Sequence, residues 1–224
     1  MSKKEDIINT ALELFNQIGY NATGVDKIIA ESNVAKMTFY KYFPSKESLI
    51  MECLHHRNIN IQNSIYEKLS LHPDVSPIEK IHLIFNWYID WVNSENFNGC
   101  LFKKAFIEVS KQYTSIREPF QEYTNWLINL LNSLLVELDI KDPTPLTHII
   151  ISIIDGIIID GTIDKDLIDP SKKWQYIASV YSTHLTLPTT PYVYISVVHV
   201  SSNPTPVSDK ANTLSVKAGN GGEK

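Results

Sequence analysis

The chain of 224 residues is 43% hydrophobic and 20% charged, which is the composition of a globular protein long enough for one large or two small cores. Its formal net charge of −5 argues against broad affinity for nucleic acid, so any DNA binding has to come from a local surface. Cys53 and Cys100 are too few for a secreted disulfide framework, and we expect a cytoplasmic protein without a signal peptide or an apolar stretch long enough to span a bilayer.

The first thirty residues contain a long helix and then a short one. Apolar residues recur at helical spacing up to Gly19, where a glycine cap ends the first helix. Thr23 followed by Asp26 resembles a capping box and opens a second helix that ends near Ser32. The first helix has one apolar face, which predicts that it is buried on one side.

A tight turn and a third short helix come next. Asn33 tolerates positive φ better than most residues and can make a sharp turn between two short helices. The third helix is predicted over about residues 35–41. After a break at Pro44, a long fourth helix reaches Leu69 and leads out of the N-terminal unit.

Five more helices are predicted from apolar periodicity and from caps and prolines at their first turns. They begin near Ser76, Gly99, Ser115, Thr144 and Asp169. The eighth helix is apolar over more than one face, which predicts packing both inward and against another subunit.

A change of composition marks the end of the helical part. From Thr186 the chain is rich in proline, serine and threonine and ends in glycines, which predicts a disordered or non-native tail over residues 186–224. Within it, residues 192–200 have the pattern of an isolated strand in an otherwise helical chain.

The segment from Gly19 to Leu49 places a capped short helix, a tight turn, a second short helix and an aromatic-proline exit within about thirty residues, which is the plan of a helix-turn-helix. It resembles the DNA-binding signature of the TetR family of bacterial one-component regulators. The resemblance is strong over residues 5–54 and extends to residue 185 as helix layout alone.

Three residues depart from the family pattern. Gly24 stands where the family has Ser or Thr, Ile29 where it has Ala, and Asn33 where it has Gly. Met37 also replaces a small residue of the third helix, so the operator sequence of relatives cannot be transferred to this chain.

The resemblance implies an all-α protein of about nine helices. Residues 1–48 would form a three-helix helix-turn-helix DNA-binding domain, and residues 49–185 a helical ligand-binding and dimerisation domain. It implies a repressor that binds palindromic operator DNA as a homodimer and is released by a small apolar or aromatic effector.

The third helix would enter the major groove, where its N-terminal residues face base edges while neighbouring residues contact phosphates. Between Ala35 and Pro44 there are two lysines and no carboxylate, so this face is locally basic. The alternative is a structural bundle with a solvated lysine face, and we interpret Tyr42 and Phe43 as core residues in either case. The predicted DNA contacts are Thr23, Lys36, Met37, Thr38, Tyr40, Lys41 and Lys46.

Aromatic side chains of the C-terminal part are candidates for an effector pocket, with ordinary core packing as the alternative. The candidates are Trp87, Trp91, Phe102, Phe106, Tyr123 and Trp126. The last two helices would pair with their counterparts in the dimer. The candidates for that interface are Ile153, Gly156, Ile157, Gly161, Trp174, Ile177 and Tyr181.

Other chemistry has little support in the sequence. Cys100 follows Gly99 at a helix start, where the helix dipole could activate its thiol, although a buried inert cysteine is the alternative. The histidines lack metal-ligand spacing and no catalytic motif is present, so we predict no cofactor, no metal site and no enzyme. A helical binding module whose altered helix-turn-helix no longer reads DNA is the alternative function.

Overall fold

The computed structural model describes residues 2–167, 169, 172–175 and 177–179. Every described residue belongs to one compact unit defined by backbone contacts. The predicted tail, its strand-like segment and Tyr181 lie outside the described residues.

The described part of the chain is helical and contains no strand, as the sequence predicts. Residues 172–175 and 177–179 are also helical, where the ninth helix is expected. The helices are α1 (Lys3–Ile18), α2 (Val25–Glu31), α3 (Lys36–Tyr42), α4 (Lys46–Ser70), α5 (Pro77–Asn93), α6 (Leu101–Val109), α7 (Arg117–Val136) and α8 (Thr144–Ile163), with 3-10 turns at Thr114–Ile116 and Lys165–Leu167.

Local signals at the helix ends act largely as predicted. Gly19 has φ +83° at the end of α1, and Ser76 caps α5 together with Glu79. The capping box predicted at Thr23 is wrong, because the N-cap of α2 is Gly24, which offers no side chain. The helix expected from Ser115 begins instead with a 3-10 turn and becomes α-helical at Arg117.

The core of the protomer is continuous from the N-terminal helices into the remainder of the described chain. Helix α1 packs on α2, α3 and α4, while α5 packs on α4, α7 and α8. Helix α4 therefore belongs to both groups and connects the helix-turn-helix with the C-terminal helices.

Helix α8 has a mean hydropathy of 1.7 and is long and apolar enough to cross a membrane by length and composition. The expectation that no stretch reaches this length is therefore wrong. The helix packs on α5 and α7 and buries Ile150, Ile154 and Ile157, so one of its faces belongs to the core.

Candidate DNA-binding surface

The helix-turn-helix is built around one aromatic side chain and one unusual turn residue. Phe39 on α3 and Ile28 on α2 are fully buried, and both helices pack against α1. Asn33 connects them at φ +52°, the left-handed conformation that the sequence predicts for it. This packing fixes which side of α3 faces outward.

The outward side of α3 carries four exposed residues. Met37 is 87% exposed and Tyr40 is 44% exposed, and Lys36 and Lys41 are exposed beside them. Residues at these spacings share one helix face. Thr38 is half-buried. The structure thus brings five of the seven predicted contact residues together on α3.

The charge of this face is smaller than the sequence indicates. The Lys36 ammonium lies 3.3 Å from a carboxylate oxygen of Asp26 on α2, and both side chains are well exposed. A count along α3 alone misses this carboxylate. Lys41 takes part in no ion pair found among the described residues.

The two other predicted contacts are engaged inside the protomer. Thr23 is fully buried and its hydroxyl donates to the Gly19 carbonyl oxygen at 2.6 Å. The Lys46 ammonium donates to the Tyr20 carbonyl oxygen at 2.5 Å, and partial burial lowers its pKa. Their positions give both residues a structural role.

The interpretation of Tyr42 and Phe43 as core residues is right for one of them. Phe43 is buried, whereas Tyr42 is 39% exposed. Tyr42 lies on α3 between the buried side and the outward side, where helical geometry leaves its ring partly in solvent.

A junction between α1 and α6 went unpredicted. The buried Tyr20 hydroxyl donates to the Leu101 carbonyl oxygen at 3.1 Å, and the Asn21 N–H donates to the Glu108 carboxylate at 2.9 Å. The Lys104 ammonium donates to the Asn16 carbonyl oxygen at 2.9 Å. These bonds tie the end of α1 to residues 81 to 88 positions away, and only the polar residues beside Gly19 hint at them in the sequence.

Three of the predicted effector residues are part of the protein interior or packed on it. Phe102 and Tyr123 are buried and stack with ring centroids 4.5 Å apart. The Tyr123 hydroxyl hydrogen-bonds the Tyr88 hydroxyl at 2.8 Å, and burial raises the pKa of both phenols. The Trp87 indole donates to the Ser64 hydroxyl at 2.8 Å.

The other three predicted effector residues lie apart from one another. Phe106 is 38% exposed and stands under the Arg117 guanidinium. Trp91 borders a cavity of about 330 Å³ between α1, α4 and α5, whereas Trp126 borders an open groove of about 700 Å³ between α4 and α7. The six aromatics therefore do not line one common cavity, and Arg57, which borders the smaller one, was not predicted.

The predicted dimer residues divide into inward and outward ones. Ile157, Gly161 and Ile177 are buried within the protomer, and Trp174 stacks on His82. Ile153 and Gly156 are half-buried, and a Cβ atom at Gly156 would meet nothing within 4 Å. The most exposed apolar residues of α8 were not predicted, and they are Ile149, Ile159 and Ile163.

Cys100 has the surroundings of a buried, unreactive cysteine, the alternative to an activated thiol. Its side chain is buried, and burial raises the pKa of the thiol despite nearby backbone N–H donors. The thiolate form that oxidants attack is therefore disfavoured.

A short outward-facing helix, held within a helix-turn-helix on a larger helical body, is the arrangement by which helix-turn-helix proteins present a recognition helix to DNA. Comparison with known proteins agrees with this arrangement. Residues 7–53 match the family model described as bacterial regulatory proteins, tetR family. The N-terminal part of the chain is therefore similar to the DNA-binding part of TetR-family regulators.

Individual relatives add detail. The chain is 51% identical over 57 residues to the uncharacterised HTH-type transcriptional regulator YuxN of Bacillus subtilis, a match that spans 25% of this chain and 20% of that protein. It is 26% identical over 168 residues to an uncharacterised HTH-type regulator in the lacX 3′ region of Lactococcus lactis, spanning 73% and 85% of the two chains.

The fold is also that of a solved structure. The TetR-family regulator SCO4454 of Streptomyces coelicolor superposes with a TM-score of 0.69 at 21% identity, covering 82% of this chain and 94% of that one. At 21% identity this likeness establishes the fold alone.

Proposed function

We propose that the chain is a cytoplasmic repressor that binds a palindromic operator as a homodimer and releases it when a small molecule binds. The exposed face of α3 carries the proposal: Lys36, Met37, Tyr40 and Lys41 point outward from a helix fixed by the buried Phe39. Residues 1–48 would be the DNA-binding domain and residues 49–185 the ligand-binding and dimerisation domain.

Within this face the side chains have separate roles. Met37 is placed to contact a thymine methyl group, and Thr38 to bond a base or the backbone. Lys36, Tyr40 and Lys41 would contact phosphates or guanine acceptors. Thr23 and Lys46 leave the contact set because their polar atoms are engaged inside the protomer.

The hydrogen bonds at the junction between α1 and α6 connect the C-terminal helices to the DNA-binding unit. A ligand that moves α6 would move Tyr20 and Asn21 through their bonds to Leu101 and Glu108. Release of DNA requires that the ligand binds the released conformer more tightly than the bound one.

A salt titration of matched lysine variants tests the assignment of the face. Lys41→Ala removes one phosphate contact, so we expect weaker binding to all sequences and a loss of about one from the slope of log K against log salt. Lys46→Ala should leave the slope unchanged, since its ammonium is bonded to Tyr20. Equal slopes for Lys41→Ala and the native chain would remove α3 from the DNA interface.

The alternative of a helix-turn-helix that no longer reads DNA relies on Gly24, Ile29 and Asn33. The structure accommodates each of them: Gly24 serves as an N-cap, Ile29 packs half-buried on the core, and Asn33 adopts the left-handed turn. None of the three removes a side chain from the outward face of α3.

A further inference from the structure

The chain has two arginines against eighteen lysines, and one of the two lies in a cavity. The guanidinium carbon of Arg57 on α4 is 5.2 Å from the centroid of the Trp91 ring. Burial lowers the pKa of Arg57, yet a guanidinium keeps its proton in proteins. Among the ion pairs of the described residues, none includes Arg57. A half-buried cation is thus held on an aromatic ring without a carboxylate partner in that part of the chain.

The cavity beside this cation combines apolar and amide surfaces. It has a volume of about 330 Å³, and Leu12, Trp91 and Leu101 supply its apolar walls. Asn16 on α1 and Asn60 on α4 supply amide groups. Such a mixture, with a few polar groups in an apolar cleft, is typical of small-molecule sites.

We propose that this cavity is the effector site and that its ligand is a small organic carboxylate, a proposal that rests on the proposed function of a ligand-responsive regulator. The ligand carboxylate would accept hydrogen bonds from the Arg57 guanidinium, whose planar fork matches a carboxylate. The body of the ligand would lie against Leu12 and Leu101.

One carboxylate of the protein also borders the cavity and sets a limit on ligand charge. Glu13 is exposed and accepts a hydrogen bond from the Gln17 amide at 3.1 Å. It does not ion-pair with Arg57, and it would repel a second negative charge. The site therefore suits a monocarboxylate better than a dicarboxylate.

The position of the cavity explains how its ligand would act on DNA binding. Leu12 and Asn16 belong to α1, the helix on which α2 and α3 pack. The Asn16 amide donates to the Asn96 carbonyl oxygen at 2.9 Å across the cavity border. A ligand between α1 and Arg57 therefore contacts the DNA-binding unit and the C-terminal helices at once.

Calorimetry with matched acids and amides tests the site on the full chain. The probes are benzoate, 2-naphthoate and indole-3-acetate, each compared with its neutral carboxamide. We expect at least one carboxylate to bind about tenfold or more tightly than its amide, the range of a charged hydrogen bond. Arg57→Gln should remove this preference, and Arg117→Gln, the matched control on the other arginine, should keep it.

A variant of an exposed residue makes the test independent of folding. Glu13→Gln removes the negative charge beside the ligand, so it should tighten carboxylate binding severalfold and leave amide binding unchanged. If circular dichroism shows that Arg57→Gln does not fold, Glu13→Gln and the acid–amide comparison on the native chain still test whether the cavity binds a carboxylate.

The proposal is overturned if acid and amide bind the native chain equally, if Arg57→Gln keeps the preference, if Glu13→Gln leaves carboxylate affinity unchanged, or if no carboxylate binds at millimolar concentration. Operator selection by the ligand-free chain distinguishes failure of the proposed carboxylate site from failure of the proposed function. A chain that selects an operator but binds no carboxylate refutes only the site. A chain that binds carboxylate through Arg57 but selects no DNA refutes only the regulator.

Discussion

Asp26 and Lys36 face each other across the helix-turn-helix, and their pairing affects how α3 meets DNA. Their atoms are 3.3 Å apart in an exposed position, where such a pair contributes at most about 1 kcal/mol. A phosphate group can therefore displace Asp26 from Lys36 at low cost. The carboxylate nevertheless stays close to the DNA backbone and repels it.

Replacement of this carboxylate by a neutral amide removes the repulsion. Asp26→Asn should tighten operator binding by about two- to fivefold, as expected for an exposed pair worth up to ~1 kcal/mol. Fluorescence anisotropy with a labelled operator measures the change. The control is Glu31→Gln, which removes the carboxylate of α2 that pairs with Lys27 at 3.0 Å. An equal gain in the control, or no gain at Asp26, would contradict the proposed orientation of α3.

At the scale of helices, local patterns account for most of what the sequence predicts. Glycine, asparagine and proline breaks mark the ends of α1 to α4 because these residues restrict or relax the backbone at their own position. Apolar periodicity predicts which faces are buried for the same local reason.

The features that the sequence does not predict are contacts between residues of different helices. The Asp26–Lys36 pair, the bond from Tyr20 to Leu101 and the cavity beside Arg57 each join residues from different helices. No spacing rule along one helix predicts such contacts. The same limit applies to the predicted effector residues. Their aromatic type indicates a pocket, but the structure places them in or against the core, at the surface and in two separate depressions.

The contact of the last described helical residues with α5 depends on a histidine. The His82 ring stacks on Trp174 with centroids 4.1 Å apart, and burial lowers the pKa of His82. The unfolded chain therefore takes up the proton first as the pH falls below about 6.5. The stability that neutral His82 contributes is present above this pH and is lost as the pH falls through the folded-state pKa.

Thermal unfolding at pH 7.5 and pH 5.5 tests this contact. Phenylalanine keeps the stacking ring without a titrating group. The Tm of His82→Phe should therefore fall less between pH 7.5 and pH 5.5 than the Tm of the native chain. His72→Phe, at an exposed position, should behave as the native chain does. The same loss of Tm in native and His82→Phe chains would show that His82 does not carry the pH dependence.

At the scale of the whole molecule, the outward face of α8 matches the dimer that palindrome binding requires. Ile149, Ile159 and Ile163 are 44%, 53% and 73% exposed, and Gly156 lies between them with open space at its Cβ position. Isoleucine in water is unfavourable, and a second copy of the same face would cover it. We therefore expect this face, together with the half-buried Ile153, to form the centre of the interface.

A charge in this face should separate the protomers. Ile159→Asp buries a carboxylate in the proposed interface, so we expect the dimer to weaken by a hundredfold or more, on the order of 3 kcal/mol. Sedimentation equilibrium measures the dissociation constant. Ile107→Asp is the control, because Ile107 is 80% exposed and belongs to α6 rather than to the outward face of α8. A dimer that survives Ile159→Asp unchanged would place the interface elsewhere.

The central claim is that the outward face of α3 reads a palindromic operator from a dimer. Selection of bound sites from a random duplex pool by the purified chain tests it most directly. We expect enrichment of a palindrome whose half-sites are about 34 to 36 Å apart or a multiple of that spacing, because two recognition helices enter successive major grooves. We also expect Met37→Ala to change the preferred base at one symmetric position. A folded dimer that enriches no sequence at low salt would contradict the claim.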